Sequence, residues 1–366
     1  MAVLGTLVLL VTACGNQRSL ESGAPSPQAM RVQRIKLLEA QLAEGKKSGP
    51  RWRAWCDAFL RQKPRGGNES ILCDEGLVEK LSNPRPRTQL RDNPGPLNAI
   101  VDFQDQLRAH GIDLLVVFIP PAAAVFPEEV LPDPPLPEGK IPLLDWRFRR
   151  FFLALEHEGV EVLDLLPAFV DKRFGGSRSI EGKIHQERIF VKGSVYWRSY
   201  GARVAAEAVG ERIKKYPWFP DVKRQMGRAV LVERTGWSET KRQVLYRVHI
   251  AGEPTDLATD KDLSFDRESP ILLIGDSFSR KHSDVQAGFT DQLLRELGFR
   301  VDIIAVDSGS ARGSRKALAL RADGLRGKRL VVYLIPMMSL RENQHAAWTL
   351  IDVFGDARSR VTDGDG

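Results

Sequence analysis

The residue best placed for chemistry is a serine that directly follows an apolar run. Ser277 comes after Gly275 and Asp276, and residues 271–274 read ILLI. This pattern predicts a buried strand, a sharp turn allowed by glycine, and a helix. At such a turn the serine hydroxyl is exposed at the carboxyl edge of a sheet, and its backbone N–H can stabilise an oxyanion. We interpret Ser277 as a candidate acyl-transfer nucleophile, with a serine that only caps the next helix as the alternative.

The elements that must position this turn alternate between apolar runs and amphipathic helices. Five short runs have the character of parallel strands buried on both faces, namely residues 114–119, 160–165, 271–274, 301–306 and 330–335. The alternation predicts an α/β three-layer sandwich with a mostly parallel sheet. Residues 229–250 alternate like an antiparallel hairpin, which predicts a small β-rich insertion at about 225–268.

The amino terminus indicates export. Residues 2–13 are apolar and uncharged but too short to span a bilayer, so residues 1–14 have the pattern of a signal peptide. The run VTAC at 11–14 resembles a bacterial lipobox, and we expect Cys14 to be lipidated. A lipid anchor would hold the chain on a membrane of the bacterial cell envelope, in the periplasm. Ordinary export and an apolar start without function are the alternatives.

The rest of the chain divides into an arm, a main domain and a tail. Composition predicts a tether and helical arm over 15–96, the main α/β domain over 97–354 and a polar tail over 355–366. The arm contains Cys56 and Cys73. In an exported protein this pair is expected to form a disulfide, and two free buried thiols are the alternative.

Composition and charge limit the classes of partner. Hydrophobic residues make up 42% and charged residues 28% of the chain, as in a folded globular protein. The net charge of +7 favours an anionic partner such as a uronic-acid polymer or lipid headgroups. The Lys and Arg residues form no block with interleaved aromatic residues, so nucleic acid is not an expected partner. The spacing of Cys and His residues suggests no metal site, and we expect no cofactor.

Four fragments resemble one known family. Residues 271–298, ILLIGDSFSRKHSDVQAGFTDQLLRELG, are similar to the nucleophile segment of the SGNH-hydrolase-like alginate O-acetyltransferases of the AlgJ and AlgX type. Residues 105–131, 159–170 and 190–209 resemble further family segments in the same order, within roughly 95–345. The resemblance implies an SGNH-like sandwich, serine-dependent acetyl transfer to a sugar hydroxyl, and partners among exopolysaccharide assembly proteins.

The fragment 190–209 differs from the family at the positions of two catalytic residues. Aligning on Trp197 and Gly201 puts Ser194 at the family's catalytic Asp and Tyr196 at its catalytic His. A serine nucleophile needs an adjacent base, and phenols, which ionise near pH 10, are poor substitutes for imidazole at neutral pH. A serine hydroxyl also lacks the charge that orients an imidazolium. We therefore predict a catalytically degenerate site in a chain that acts by binding polysaccharide or partner proteins.

Two alternatives to a degenerate binding protein stay open. The first is an active O-acetyltransferase or esterase in which a relocated histidine, His185 or His282, serves Ser277 as base. The second is a lipoprotein scaffold in which the Gly-Asp-Ser turn has only a structural role.

The candidate binding residues surround the predicted turn. Gly275, Asp276 and Trp197 belong to the segments that the resemblance brings to Ser277. A second set follows the run 301–306, where the resemblance to SGNH folds implies that DSGSARGS is a second oxyanion-hole or substrate loop. Gly309 and Gly313 would shape this loop, and Arg312 and Arg315 would meet an acidic sugar. A flexible turn with solvated arginines is the alternative.

Overall fold

The computed structural model describes most of the chain between residues 26 and 355. The described ranges are 26–47, 49–62, 68–82, 94–130, 145–180, 183–227, 229–238, 243–252, 265–307, 310–321, 323–341 and 348–355. The predicted signal peptide with Cys14, the loop residue Gly309 and the tail beyond 355 lie outside these ranges, as do parts of the tether and of the predicted insertion.

The described elements are nine strands and thirteen α-helices. The strands are β1 (Asp113–Ile119), β2 (Glu161–Asp164), β3 (Phe174–Ile180), β4 (Lys183–Arg188), β5 (Leu231–Ser238), β6 (Gln243–Ile250), β7 (Ile271–Gly275), β8 (Asp302–Ala305) and β9 (Leu330–Pro336). The helices are α1 (Pro27–Lys47), α2 (Gly49–Gln62), α3 (Glu75–Ser82), α4 (Gly95–Ala109), α5 (Ala122–Val125), α6 (Pro127–Val130), α7 (Phe148–His157), α8 (Leu166–Asp171), α9 (Ser199–Ile213), α10 (Phe219–Met226), α11 (Ser277–Arg280), α12 (Phe289–Leu297) and α13 (Ser310–Ala319).

The five apolar runs form one parallel sheet in the order β2-β1-β9-β7-β8. Every residue of β7 and β9 is buried, because helices cover both faces of the sheet. The predicted α/β sandwich with a parallel sheet is confirmed. Since all five strands point the same way, their carboxyl ends meet at a single edge, and β7 lies there between β9 and β8.

Two antiparallel hairpins accompany the sheet. The hairpin of β5 and β6 pairs Leu231 with Ile250 at its open end, as the alternating pattern predicts. The sequence pattern does not predict the hairpin of β3 and β4, in which the segment KIHQER at 183–188 is β4. The exposed fraction of Ile184 is 79%. Because this hairpin has little buried face, its sequence shows no apolar alternation, and its pairing depends on backbone hydrogen bonds.

The β5–β6 hairpin is anchored to the main domain by buried hydrogen bonds. The Ser199 backbone N–H donates to Gln243 Oε1 at 3.1 Å, and the Ser199 hydroxyl accepts from the Tyr246 N–H at 3.0 Å. Gln292 of α12 donates to the Tyr246 carbonyl oxygen. The predicted insertion is therefore tied to α9 and α12, the helices that flank the Ser277 segment.

The helical arm packs on α7. Arg34 of α1 donates to the fully buried carboxylate of Glu156 at 2.6 Å. A Cβ atom at Gly45 would lie 2.2 Å from Trp146 Cβ, so glycine is required where α1 crosses that side chain. Cys56 and Cys73, separated by 17 positions, form a disulfide with their Cα atoms 5.3 Å apart.

Two negative findings apply to the described part of the chain. None of its helices combines the length and the apolar character needed to cross a bilayer. Its Asp, Glu, His and Cys side chains form no cluster of three or more that could hold a metal ion.

Candidate functional site

The Ser277 turn is built by its two preceding residues. Asp276 is the N-cap of α11, and its Oδ1 accepts a hydrogen bond from the Phe278 N–H at 3.0 Å. This cap fixes Ser277 as the first helical residue at the carboxyl edge of the sheet. A Cβ atom at Gly275 would lie 2.2 Å from Ser279 Oγ and 3.4 Å from Leu334 Cβ. The turn therefore has no space for a side chain before Asp276.

Two separate helices follow the turn. α11 spans only Ser277–Arg280, and α12 begins at Phe289. Between them His282 and Gln286 have positive φ angles of 70° and 54°. Left-handed residues cannot continue a right-handed helix, so His282 and Gln286 keep α11 and α12 separate.

Tyr196 lies against the candidate nucleophile. Its hydroxyl oxygen is 2.9 Å from Ser277 Oγ, a hydrogen bond in which either atom can donate. The Tyr196 ring also packs against Phe278, with ring centroids 5.0 Å apart. The predicted proximity of residues 196 and 277, which are 81 positions apart, is confirmed.

Ser194 holds the backbone rather than the phenol. Its Oγ accepts a hydrogen bond from the Tyr196 backbone N–H at 3.2 Å, and its own N–H donates to the Val191 carbonyl oxygen at 3.0 Å. Ser194 therefore stabilises the tight turn that presents Tyr196. A carboxylate at this position could accept the same backbone hydrogen bond through one of its two oxygens.

Lys281 is a member of the site that sequence reasoning missed. Its Nζ lies 4.6 Å from the centroid of the Tyr196 ring, within cation–π range. The sequence offered only the short separation from Ser277, because Lys281 is the C-cap of α11 and its backbone N–H donates to the Ser277 carbonyl oxygen at 3.0 Å. The ammonium places a positive charge on the face of the Tyr196 ring.

Trp197 has a packing role. Its ring is fully buried, in a T-shaped contact with Phe278 at 5.3 Å and stacked on Phe289 at 5.7 Å. A ring enclosed in this way presents no face to a ligand, in contrast to the binding role expected for Trp197. It instead holds α11 and α12 against the segment that carries Tyr196.

Neither candidate replacement base contacts the nucleophile. His282 is buried, and its Nε2 lies 3.2 Å from the Trp197 carbonyl oxygen and 3.4 Å from Gln243 Nε2. His185 belongs to β4, and its ring packs on Trp237 with centroids 4.3 Å apart. Across the described ranges, no histidine nitrogen is hydrogen-bonded to Ser277 Oγ.

The charged groups around the turn differ from the predicted set. Burial raises the pKa of Asp276 to about 6, and the charge of Asp307 adds to this effect. Arg312 of α13 is half-buried, and its Nε has no hydrogen-bond partner among the described residues. Arg315, expected to meet a sugar, is 1% exposed and donates to the carbonyl oxygens of Ala311 and Thr349. Arg315 therefore stabilises the buried interior of the fold and is not exposed to a sugar.

A small apolar cavity adjoins the site at the carboxyl ends of β1 and β9. Its lining includes Pro120, Pro121, Val195, Phe278, Met337 and Met338. Its volume is about 10 Å³, space for roughly one water molecule. Val195 and Phe278 are the chain neighbours of Tyr196 and Ser277, so the cavity borders the candidate site. Because the cavity is so small, an acyl group could enter it only if side chains moved.

Comparison with known proteins identifies relatives of this chain. The chain is 25% identical to the alginate biosynthesis protein AlgX of Pseudomonas syringae pv. tomato over 245 residues, which is 62% of this chain and 47% of that protein. It is 23% identical to the protein of the same name from Pseudomonas fluorescens over 240 residues, again 62% and 47%. The chain thus spans about half the length of these relatives.

A solved structure and a family model complete the comparison. The O-acetyltransferase domain of Pseudomonas putida AlgJ matches 76% of this chain and 86% of its own, with 17% identity and a TM-score of 0.46. The model of the family described as SGNH hydrolase-like domain, acetyltransferase AlgX, matches residues 81–336, and the chain belongs to this family.

Proposed function

We propose that this protein acts in the O-acetylation or export of an anionic exopolysaccharide, with an SGNH-type site that binds polymer or a partner protein but is catalytically impaired. The observation that carries the proposal is the 2.9 Å hydrogen bond between the Tyr196 and Ser277 hydroxyls. Family membership and the names of the relatives support the process. The residues at positions 194 and 196 support the loss of catalysis.

The chemical argument concerns the proton of Ser277. Attack by a serine hydroxyl at neutral pH needs a base that accepts this proton as the bond to the acyl carbon forms. The phenol of Tyr196 has the position of the base, but phenols are poor substitutes for imidazole as proton acceptors at neutral pH. It forms a stable hydrogen bond with the serine, and no proton is taken up. The pair is therefore suited to donating hydrogen bonds to a bound sugar.

The location and partners of the protein are part of the same proposal. The lipobox-like run before Cys14 supports anchoring to a membrane of the cell envelope, with the domain in the periplasm. The net charge of +7 supports contact with an anionic polysaccharide. Exopolysaccharide assembly proteins are the proposed protein partners, and nucleic acid is not among them.

The test restores the missing groups. We expect wild-type protein to hydrolyse p-nitrophenyl acetate, or to transfer acetyl groups to alginate oligosaccharides, at close to the background rate. The double variant Ser194→Asp with Tyr196→His supplies a base and its orienting carboxylate, and should raise turnover about 10²-fold or more. Adding Ser277→Ala to the double variant should remove the gain.

A matched control isolates the charge at position 194. Ser194→Asn with Tyr196→His has the same shape and can accept the same backbone hydrogen bond, but lacks the negative charge. It should recover much less turnover than the Asp version. Wild-type turnover that Ser277→Ala abolishes would contradict the impaired site. Loss of that turnover on His185→Ala would identify a relocated base and an active O-acetyltransferase.

A further inference from the structure

A second, larger groove lies at the amino-terminal edge of the sheet, opposite the Ser277 turn. Its volume is about 460 Å³, within the range of roughly 300–1,000 Å³ that is typical of small-molecule sites. The starts of β1 and β2, at Asp113 and Glu161, form its floor, and α1 forms one wall. Because parallel strands begin at one edge and end at the other, this groove is separate from the candidate active site.

One wall of the groove is a pair of aromatic rings. Tyr216 and Trp218 stack with centroids 5.1 Å apart and an interplanar angle of 25°. The Tyr216 hydroxyl donates to Glu161 at 2.9 Å, and Trp218 Nε1 donates to Asp113 at 3.2 Å. Since their polar atoms are already bonded, these partly exposed rings offer the groove apolar surface. Ring surface of this kind packs well on the C–H face of a sugar.

The groove also carries excess positive charge. Glu161 is paired with Arg34 at 3.4 Å and Arg212 at 3.2 Å. Arg31 instead donates to the backbone carbonyl oxygens of Glu156 and His157, both at 2.8 Å. The exposed Lys215 forms no ion pair with a described residue. Two cations that line the groove, Arg31 and Lys215, thus lack a carboxylate partner in the described part of the chain.

A buried amide adds an unsatisfied hydrogen-bonding group. Gln104 lines the groove with an exposed fraction of only 5%. Its Oε1 has no hydrogen-bond partner among the described residues. A buried acceptor without a partner is costly, and a ligand hydroxyl would remove that cost if the Gln104 side chain turned to expose Oε1, which has almost no accessible surface in the structure.

We propose that this groove binds an acidic carbohydrate, with a sugar ring on Trp218, its carboxylate near Arg31 and Lys215, and a hydroxyl donated to Gln104. The ligand class follows from the combination of ring surface, unpaired cations and a buried acceptor. Its identification with the anionic exopolysaccharide rests on the proposed function. The groove would hold polymer away from Ser277, so binding in the groove and the properties of the Ser277 site can be tested separately.

The experiment is isothermal titration calorimetry of the full chain with an alginate hexasaccharide, and with uncharged cellohexaose as the comparison ligand. We expect measurable binding of the acidic oligomer only, weakened by salt because the cations contribute. Trp218→Ala and Lys215→Glu should each raise the Kd about 10-fold or more. Trp218→Phe keeps a ring face and should retain most of the affinity, which separates loss of stacking from misfolding.

Matched controls locate the ligand. Lys316→Glu makes the same charge change on an exposed position of α13, and Trp237→Ala removes the aromatic ring that packs on His185. Neither variant should change the Kd more than about 2-fold. Affinity lost on Trp237→Ala or Tyr196→Phe but kept in Trp218→Ala would overturn this inference and leave the proposed function standing. Absence of binding to wild type would also overturn it. The turnover assays test the proposed function separately.

Discussion

The hydroxyl of Tyr196 and Oγ of Ser277 share one hydrogen bond, while Lys281 Nζ lies 4.6 Å from the centre of the same tyrosine ring. The arrangement brings a candidate nucleophile, a phenol and an ammonium together, and no histidine of the described ranges is hydrogen-bonded to the serine. It allows a direct test of whether the phenol performs any proton transfer.

Tyr196→Phe removes only the hydroxyl that contacts Ser277. Because we propose that this hydroxyl binds rather than accepts a proton, residual hydrolysis of p-nitrophenyl acetate should change less than about 3-fold. Lys281→Met, which removes the charge over the ring, should have an equally small effect. Losses above about 10-fold in both variants, measured as kcat/KM, would instead identify Tyr196 as a working base assisted by Lys281.

Gly275→Ala should destabilise the fold at the Ser277 turn. The added Cβ atom would meet Ser279 Oγ at 2.2 Å and the β9 side chain of Leu334 at 3.4 Å. Overpacking of this kind costs about 1–3 kcal/mol, readable as a lower urea midpoint. Gly236→Ala is the control, since a Cβ atom there meets nothing within 4 Å. Equal midpoints for both variants would show that the turn has space to relax.

The contribution of Asp291 to the free energy of unfolding should decrease as pH rises, which is the opposite of the usual behaviour of a carboxyl group in a folded protein. Burial raises the pKa of Asp291 from an ordinary value of 3.8 to about 7, although a hydrogen bond from the Gly288 N–H partly opposes this rise. The folded state then holds the proton more tightly than the unfolded state. The contribution of this group to the free energy of unfolding therefore falls as pH rises from about 4 to about 7.

Asp291→Asn is the test, because an amide oxygen can still accept from Gly288 but does not ionise. The variant should gain stability relative to wild type as pH rises from 4 to 8, by at most about 4 kcal/mol at roughly 1.4 kcal/mol per pKa unit. Urea unfolding at several pH values measures the difference. A difference that does not change with pH would mean that Asp291 titrates normally.

Glu207 provides a comparison of opposite sign. Burial by itself would raise the pKa of Glu207. Hydrogen bonds from Arg295, Lys172 and Arg203 outweigh this effect and lower the pKa to about 2. Its stabilising contribution is present at neutral pH and is lost as pH falls from about 4 to about 2. Glu207→Gln should therefore be less stable than wild type at pH 7, and this deficit should shrink in acid.

Removal of the Cys56–Cys73 disulfide should loosen the arm. Replacing both residues by serine opens a loop of 17 positions, which costs roughly 3 kcal/mol in the chain-entropy model. Thermal unfolding should show a lower Tm for the double variant and for reduced wild type. If reductant leaves the Tm of wild type unchanged, the bond makes no net contribution.

Cys14→Ser tests the predicted lipid anchor. Expressed in its native host, the wild-type chain should fractionate with membranes and take up labelled fatty acid. The variant should lose both properties, because serine offers no thiol for the lipid. A variant that is processed normally and remains fully with membranes would contradict the lipoprotein prediction.

Local patterns in the sequence determined the framework of the protein. The parallel strands are predictable because each is a short run, apolar on both faces, that must be covered by helices. The Ser277 turn is predictable because Gly275 and Asp276 encode a tight turn and a helix cap. Alignment on Trp197 added the long-range pairing of Tyr196 with Ser277, which neither residue indicates alone.

Only the tertiary structure decided which groups meet across the chain. The His282 ring lies near the Trp197 carbonyl oxygen, because α11 ends at Arg280 and His282 itself has a left-handed backbone. The groove of Arg31, Gln104 and Trp218 joins segments with no common local pattern. Such contacts depend on how helices pack around the sheet, and packing is set by the shapes of distant side chains rather than by the period of any one segment.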